Sequence, residues 1–360
     1  MFCMKTMSAI ITAVFFMTSM SVGYAQATDY NTLRLMASKH NMTCILVFGD
    51  SSTDPGNNNK LSTSMKSNFL PYGEDFFNGR PSGRFSNGRL ATDFIAEAFG
   101  YTNLIKAFLD PAITRNDLLH GVSFASAASG YDEYTANLSN VLSISKQLDY
   151  FRHYKIRLRN LVGRKESEEI IENAIFVLSM GSNDLLVNYY GKPTRSKQYN
   201  LEQYQNYLIS CMQTAIKKMH SLGARKLVVV GVPPFGCLPI VRTLKHDVLC
   251  DVELNKVAFM FNLKIQRGLK TLNEPSFRSI YADIYDITLN VVEHPLKYGF
   301  IEPLKGCCGS GTYEYGVTCK NLTTCADRTK YVFWDAFHFT EKMYKIIADA
   351  ALGIILSFMF

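Results

Sequence analysis

The stretch Ile45-Leu46-Val47-Phe48-Gly49-Asp50-Ser51 joins four consecutive apolar residues to a glycine and two polar side chains. A short, continuous apolar run that ends at a loop signal predicts a strand buried on both faces. Such strands are typical of parallel sheets, in which helices cover both faces. We therefore expect Ser51 to lie just beyond the carboxyl end of a buried strand.

The same pattern recurs along the chain, and helix-like stretches with a 3.6-residue period separate the runs. The predicted strands lie at 44–48, 121–124, 174–178, 226–232 and 278–284. The clearest predicted helices lie at 89–99, 201–222 and 252–272, and the apolar residues 350–360 predict a last core helix. Alternating strands and helices predict one three-layer α/β/α domain with a mainly parallel sheet.

The first 27 residues have the organisation of a secretory signal peptide. Lys5 supplies a positive charge, residues 8–22 are apolar, and Ala25-Gln26-Ala27 is a small-x-small cleavage site. The cleavage site and the modest apolar length argue against a membrane anchor, and no later stretch predicts a transmembrane segment. We expect a secreted, extracellular protein whose single domain spans residues 28–360.

Secretion affects how the remaining cysteines are interpreted, because disulfides persist in oxidising compartments. Cys237 and Cys250 flank one loop, and four more cysteines crowd into a second: Cys307, Cys308, Cys319 and Cys325. We expect disulfides rather than zinc, since adjacent cysteines chelate poorly. Cys44 and Cys211 lie in apolar contexts that predict buried free thiols. Three Asn-x-Ser/Thr acceptors for glycosylation fit the same route: Asn41, Asn137 and Asn321.

The formal net charge is +7, and the densest basic stretch lies at 152–165. Such a stretch is usually the solvated face of a helix. The alternative interpretation is a weak association of the protein with anionic cell-wall or lipid surfaces. The aromatic interleaving of a nucleic-acid module is missing from this stretch, so no nucleic-acid partner is expected.

Ligands of parallel α/β sheets bind beyond the carboxyl ends of the strands. The loops after the predicted strands, at 49–51, 125–130, 180–184 and 233–236, should therefore share one rim. They bring together a hydroxyl, small residues with accessible backbone N–H groups, and the amide of Asn183. Close to the other terminus the chain reads Trp334-Asp335-Ala336-Phe337-His338.

These residue types are the components of acyl transfer from an ester. Ser51 is the predicted nucleophile, His338 the general base and then acid, and Asp335 the group that orients the imidazole. The oxyanion donors would be the N–H of Ser51, the side chain of Asn183 and a backbone N–H at Ala128 or Gly130.

Each element alone has a plainer explanation. A serine after a strand is usually a helix N-cap, and Asp-x-x-His is common at helix starts. Their joint placement, each beyond a predicted strand or in the final loop before the last helix, favours the catalytic interpretation.

Several ordered blocks resemble the plant-type GDSL esterases/lipases of the SGNH hydrolase superfamily. The matching stretches are 48–59, 83–89, 121–130, 181–184, 233–239, 306–309 and 335–338. Ser52 stands where the family's name-giving leucine is found. In the second block Ser123 and Ala128 replace a usual asparagine and glycine, so Ala128 is a good donor only if its backbone does not require a positive φ.

The resemblance implies a flavodoxin-like sheet and a serine esterase or lipase that needs no metal or organic cofactor. Its substrate would be a small-molecule or polymeric ester: an acyl lipid, a cutin-like polyester or an acetylated polysaccharide. An acyltransferase with the same acyl-enzyme, or a non-catalytic wall- or glycan-binding protein, remains an alternative. The aromatic residues Phe69, Tyr72, Phe76 and Phe77 either line an acyl groove or pack in the core.

Overall fold

The computed structural model of the protein describes residues 30–359, with side chains described to residue 356, and shows a parallel six-stranded sheet. The predicted signal peptide, residues 1–27, lies outside this range. The sheet has the order β2-β3-β1-β4-β5-β6, and its strands are β1 (Ile45–Gly49), β2 (Lys106–Ala107), β3 (Gly121–Ser123), β4 (Ile175–Ser179), β5 (Lys226–Val230) and β6 (Arg278–Ala282). A separate parallel pair consists of β7 (Glu302–Gly306) and β8 (Tyr331–Phe333).

Helices connect and cover the strands. Those described are α1 (Tyr30–Lys39), α2 (Ala91–Phe99), α3 (Arg115–His120), α4 (Glu133–Ser139), α5 (Ile144–Val162), α6 (Arg164–Asn173), α7 (Pro193–Gln198), α8 (Leu201–Ser221), α9 (Pro239–Lys245), α10 (Val252–Lys270), α11 (Tyr285–Glu293) and α12 (Glu341–Met359). Helices α5, α6, α8 and α10 pack together as one group, and α1, α2, α11 and α12 pack as another.

The predicted α/β fold is confirmed. Without the two-residue edge strand β2, the order β3-β1-β4-β5-β6 is the flavodoxin-like order, in which the first strand lies between the second and third. All five predicted strands are present, with ends that differ by one or two residues. Strands β2, β7 and β8 were not predicted, because β2 is too short and β7 carries Pro303 and Lys305 in place of an apolar run.

The core is centred on β1, whose five residues are all buried. The Phe48 ring stacks on Phe124 of the segment after β3 at 4.9 Å and on Phe176 of β4 at 6.2 Å. Phe151 of α5 meets Phe48 edge-on at 5.7 Å. Aromatic pairs at these distances add to the burial of apolar area, so the strand that precedes Ser51 is held from three sides.

Three of the six Lys and Arg side chains of the basic stretch pair with nearby carboxylates. Arg152 pairs with Asp149, and Arg164 and Lys165 pair with Glu168 and Glu169 one turn along α6. This arrangement is typical of a solvated helix face. Within residues 30–359, no helix is long and apolar enough to cross a membrane.

The predicted disulfides are present as Cys237–Cys250, Cys307–Cys325 and Cys308–Cys319. Cys44 and Cys211 are free thiols; Cys44 is buried as expected, but Cys211 is only partly buried. No cluster of metal-ligating side chains occurs among the described residues. Two of the three disulfides close the segment 307–325, which has almost no regular secondary structure of its own.

We predict that replacing Cys308 and Cys319 together by serine lowers the free energy of unfolding by about 3 kcal/mol, because the disulfide removes chain entropy from the unfolded state. Urea unfolding followed by circular dichroism measures the change. The matched control is Cys211→Ser, which removes a partly buried free thiol and leaves all three disulfides intact, so it should lower stability by clearly less than the double variant does. An unchanged unfolding midpoint in the double variant would contradict the prediction.

Candidate active site

A cavity of about 120 Å³ opens at the carboxyl ends of the central strands. It lies where the strand order reverses around β1, the usual ligand site of such sheets. Four of the predicted site residues line it: Ser51, Ala128, Asn183 and His338. Much of the remaining wall is apolar and includes Met65, Phe85, Leu186, Val187, Val232, Leu238 and Ile284.

Ser51 lies two residues beyond β1, on a turn that Gly49 makes possible. Gly49 has a φ of +154°, and a Cβ there would stand 2.3 Å from the carbonyl oxygen of Ser179 on β4. Only glycine allows β1 and β4 to approach so closely at their ends. The Ser51 hydroxyl then lies 2.8 Å from Nε2 of His338, across 287 positions of sequence.

Asp335 lies behind the imidazole and is fully buried. Both of its carboxylate oxygens are 2.8 Å from Nδ1 of His338. Oδ1 also accepts the backbone N–H groups of Phe337 and His338 at 2.8 Å each. Because a carboxylate only accepts, Nδ1 carries the proton and Nε2 is free to accept the Ser51 hydroxyl proton.

The predicted oxyanion donors border the same cavity. Among the described residues, the backbone N–H groups of Ser51 and Ala128 have no hydrogen-bond partner. The Asn183 amide donates one N–H to the carbonyl oxygen of Ser129 at 2.9 Å, which fixes its orientation and leaves its second N–H available. Gly130 does not line the cavity, because it packs directly against the carboxylate of Asp184.

Ala128 adopts a φ of +68°, in the left-handed region. From the sequence, Ala128 is expected to be a good donor only if its φ is not positive. That condition is not met, because a residue with a Cβ occupies a conformation that favours glycine. The cost is about 1–2 kcal/mol relative to a right-handed conformation. Strain of this kind is tolerated only where the surrounding contacts hold the loop in place.

Two buried carboxylates hold the loop that carries Ala128. Asp54 accepts the N–H of Ala127 at 3.0 Å while also capping the turn of Gly56 and Asn57. Asp184 accepts the N–H groups of Tyr131 and Asp132 at 2.7 and 3.1 Å. Burial raises the pKa of Asp54 to about 6 and that of Asp184 to about 7, although the backbone donors oppose this rise.

Two asparagines reinforce this loop from the first block. Asn57 donates to the carbonyl oxygens of Ser123 and Ala125, at 2.8 Å each, and Asn58 donates to that of Ala127 at 3.0 Å. The sequence alone did not predict that Asn57 and Asn58 donate hydrogen bonds to this loop. The signal available in the sequence was the run of three asparagines at 57–59, which begins six residues after the predicted nucleophile. A buried hydrogen-bond network explains why polar residues occur there.

The hydroxyl of Ser52, the residue next to Ser51, is bound by Asp50 and not by His338. Ser52 donates to Oδ1 of Asp50 at 2.8 Å and lies 3.0 Å from the Ser179 hydroxyl. Burial raises the pKa of Asp50, while the bonds from Ser52 and the proximity of His338 act in the opposite direction. Ser51 is therefore the hydroxyl of this turn that faces His338.

A serine hydroxyl in contact with an oriented imidazole, next to free N–H groups, is a geometry suited to nucleophilic attack on a carbonyl group. Comparisons with known proteins agree with this chemistry. The family model of the GDSL-like Lipase/Acylhydrolase matches residues 45–351. GDSL esterase/lipase At5g45950 of Arabidopsis thaliana is 54% identical over 328 residues, which cover 91% of this chain and 92% of that protein.

A second relative from Arabidopsis thaliana, GDSL esterase/lipase At5g45960, is 44% identical and covers 88% of both chains. Among solved structures, the lipase Lip_vut3 from a goat rumen metagenome is 10% identical with a TM-score of 0.38, covering 87% of this chain and 97% of that one. From the family model and the curated relatives, we conclude that the chain belongs to the GDSL esterase/lipase family of carboxylic ester hydrolases.

Proposed function

We propose that the protein is a serine esterase or lipase in which Ser51 forms an acyl-enzyme with the acyl group of its substrate. The observation that carries this proposal is the 2.8 Å contact between the Ser51 hydroxyl and Nε2 of His338, both of which line a largely apolar cavity. As Ser51 Oγ attacks the ester carbonyl carbon, its proton passes to Nε2. The resulting imidazolium is stabilised by the buried carboxylate of Asp335.

The carbonyl oxygen becomes negatively charged in the tetrahedral intermediate. The N–H groups of Ser51 and Ala128 and the amide of Asn183 are the donors that would receive it. The intermediate collapses when His338 returns its proton to the leaving alcohol. A water molecule, deprotonated by His338, then attacks the acyl-enzyme, and the carboxylic acid leaves as Ser51 regains its proton.

The apolar wall of the cavity supports an acyl chain as the part of the substrate that enters it. Leu186 and Val187 contribute from the π-helical segment Asp184–Tyr190, and Met65 and Phe85 line the same cavity. None of Phe69, Tyr72, Phe76 and Phe77 lines the cavity, so these residues do not form the acyl groove that the sequence allowed. Esters of acyl lipids or cutin-like polyesters fit an apolar wall better than short acetyl groups on a polysaccharide do.

We also propose that the protein is secreted, with residues 1–27 as a signal peptide and residues 28–360 as one hydrolase domain. Three disulfides support this route, because such bonds persist in oxidising compartments. The glycosylation acceptors Asn41, Asn137 and Asn321 are all exposed, as attachment of a glycan requires.

We predict that Ser51→Ala lowers kcat for short p-nitrophenyl esters by at least about a thousandfold and abolishes labelling by a fluorophosphonate probe, because the nucleophile is lost. Ser52→Ala is the matched variant, since its hydroxyl is bound by Asp50 rather than His338. It should keep the labelling. Unchanged turnover in Ser51→Ala would exclude the proposed mechanism.

We expect Asn183→Ala to reduce kcat by about 100- to 1,000-fold with a small change in KM, because an oxyanion donor acts mainly in the transition state. Steady-state kinetics on p-nitrophenyl butyrate measure the effect. Ala128→Gly is the matched comparison at the neighbouring donor, since it keeps the N–H and relieves the left-handed strain. That variant should remain active; an Asn183→Ala enzyme of equal activity would contradict the assignment.

The apolar cavity predicts that kcat/KM rises about fourfold for each methylene added to the acyl chain until the cavity is filled, because burial of a methylene contributes about 0.8 kcal/mol. A series of p-nitrophenyl esters from acetate to laurate provides the measurement. Leu186→Phe, which adds volume to the wall, should move the optimum to shorter chains. A profile with no dependence on chain length would show that the acyl chain lies elsewhere.

A further inference from the structure

Tyr72 lies outside the cavity but in direct contact with Asp335. Its side chain is fully buried, and its ring meets those of Phe85 and Trp334 edge-on at 5.6 and 6.2 Å. The same small cluster contains Cys307, Cys308 and Cys319. Tyr72 therefore joins the loop after the first block to the disulfide-bonded segment 307–325.

The Tyr72 hydroxyl makes two hydrogen bonds whose directions are unambiguous. The backbone N–H of Gly316 donates to it at 2.6 Å, and the hydroxyl donates to Oδ2 of Asp335 at 2.7 Å. An N–H can only donate and a carboxylate only accepts, so the Tyr72 proton must point at Asp335. Burial, together with the charge of Asp335, raises the pKa of Tyr72 well above its usual value, which keeps this donor protonated.

The Asp335 carboxylate is thus bound on all sides. Oδ1 holds two backbone N–H groups, Oδ2 holds Tyr72, and Nδ1 of His338 is within 2.8 Å of both oxygens. Among the residues that the structure describes, Tyr72 is the only donor to Oδ2 other than the imidazole, so this oxygen would lose it in a variant without the hydroxyl. The carboxylate would then concentrate its charge toward His338, and its plane would be less firmly fixed.

The segment that supplies the Gly316 N–H is itself fastened around Asp335. The N–H of Cys307 donates to the carbonyl oxygen of Trp334 at 2.9 Å, and the N–H of Ala336 donates to that of Glu314 at 2.9 Å. A Cβ at Gly306 would stand 2.7 Å from the carbonyl carbon of Asp335, so the two backbones are in contact. The two disulfides hold this segment in place.

We propose that Tyr72 is a positioning residue for the catalytic Asp335–His338 pair, locked in its donating orientation by Gly316 of the disulfide-bonded segment. This inference rests on the function proposed above and adds a residue to it. Tyr72 touches neither the substrate cavity nor Ser51. It acts by dividing the negative charge of Asp335 between its own hydroxyl and the imidazole.

Other titratable or charged groups face this network and remain in place when Tyr72 is changed. They are Asp50 directly after β1, Tyr315 in the disulfide-bonded segment, and Tyr344 on α12. Because they are common to all variants, a difference between variants at position 72 isolates the contribution of its hydroxyl.

The test is Tyr72→Phe, which keeps the ring and removes the hydroxyl. A hydrogen bond to a charged group changes an equilibrium by about ten- to a hundredfold. We expect kcat per active site to fall about tenfold, with KM within about twofold of the wild-type value. Without the hydrogen bond from Tyr72, the Asp335 carboxylate attracts the His338 imidazolium more strongly, so His338 stays protonated to higher pH. The acid limb of the kcat/KM profile should move upward by about half a pH unit or more.

The measurement uses p-nitrophenyl acetate between about pH 5 and pH 9, with active sites counted by fluorophosphonate titration. Tyr154→Phe is the matched control, because its buried hydroxyl donates to the Leu118 carbonyl oxygen at 2.7 Å, away from the site. It should lose stability without any change in the acid limb. A second variant, 3-fluorotyrosine at position 72, retains the shape and donates more strongly, so its acid limb should move downward.

A wild-type kcat per active site and an unmoved acid limb, in either Tyr72 variant, would overturn the inference. Turnover that survives Ser51→Ala would instead overturn the proposed function. The variants at position 72 therefore test the role of Tyr72, and Ser51→Ala tests the proposed function separately. If Tyr72→Phe does not fold, the fluorotyrosine variant alone decides, since it keeps the hydroxyl and exchanges only one ring hydrogen for fluorine.

Discussion

The structure depends on the burial of β1 between β3 and β4. This strand pairs with both neighbours in parallel register, and its last residue, Gly49, lies opposite Ser179 of β4 with no room for a side chain. Ser51, Ala128 and Asn183 follow these three strands. Because parallel strands end on the same edge, the pairing that closes the core also brings together the proposed nucleophile and the proposed oxyanion donors.

Buried carboxylates organise the loops beyond that edge. Asp54, Asp184 and Asp335 are each fully buried, and each accepts at least two backbone N–H groups from a loop that borders the site. A buried charge is costly unless hydrogen bonds surround it, so each carboxylate fixes the conformation of the loop that satisfies it. The result is a set of loops rigid enough to hold Ala128 in the left-handed conformation.

The disulfide-bonded segment and the sheet meet at Asp335. The cysteine-rich segment has little regular secondary structure, yet it bonds to the backbone on both sides of Asp335 and supplies the N–H that orients Tyr72. A segment that lies far from Ser51 in sequence thereby contacts Asp335 on the side away from the cavity, behind the proposed catalytic pair. Tyr315 is the one side chain that this segment contributes to the cavity wall. The segment's contacts with Asp335 therefore give a physical reason for the two disulfides that hold the segment in place.

The sequence by itself determined the alternation of strands and helices, the strand that precedes Ser51, and the residue types needed for acyl transfer. Those features are local, because apolar periodicity and loop residues specify them within a few positions. Only the tertiary structure decided which donors face the cavity, since that depends on contacts between distant loops. It selected Ala128 over Gly130 because Asp184 packs against the latter, and it turned Tyr72 from a possible groove residue into a partner of Asp335, 263 positions away. Hydrogen bonds that span such separations leave no periodic signal in the chain, so they become visible only when the sheet brings both ends together.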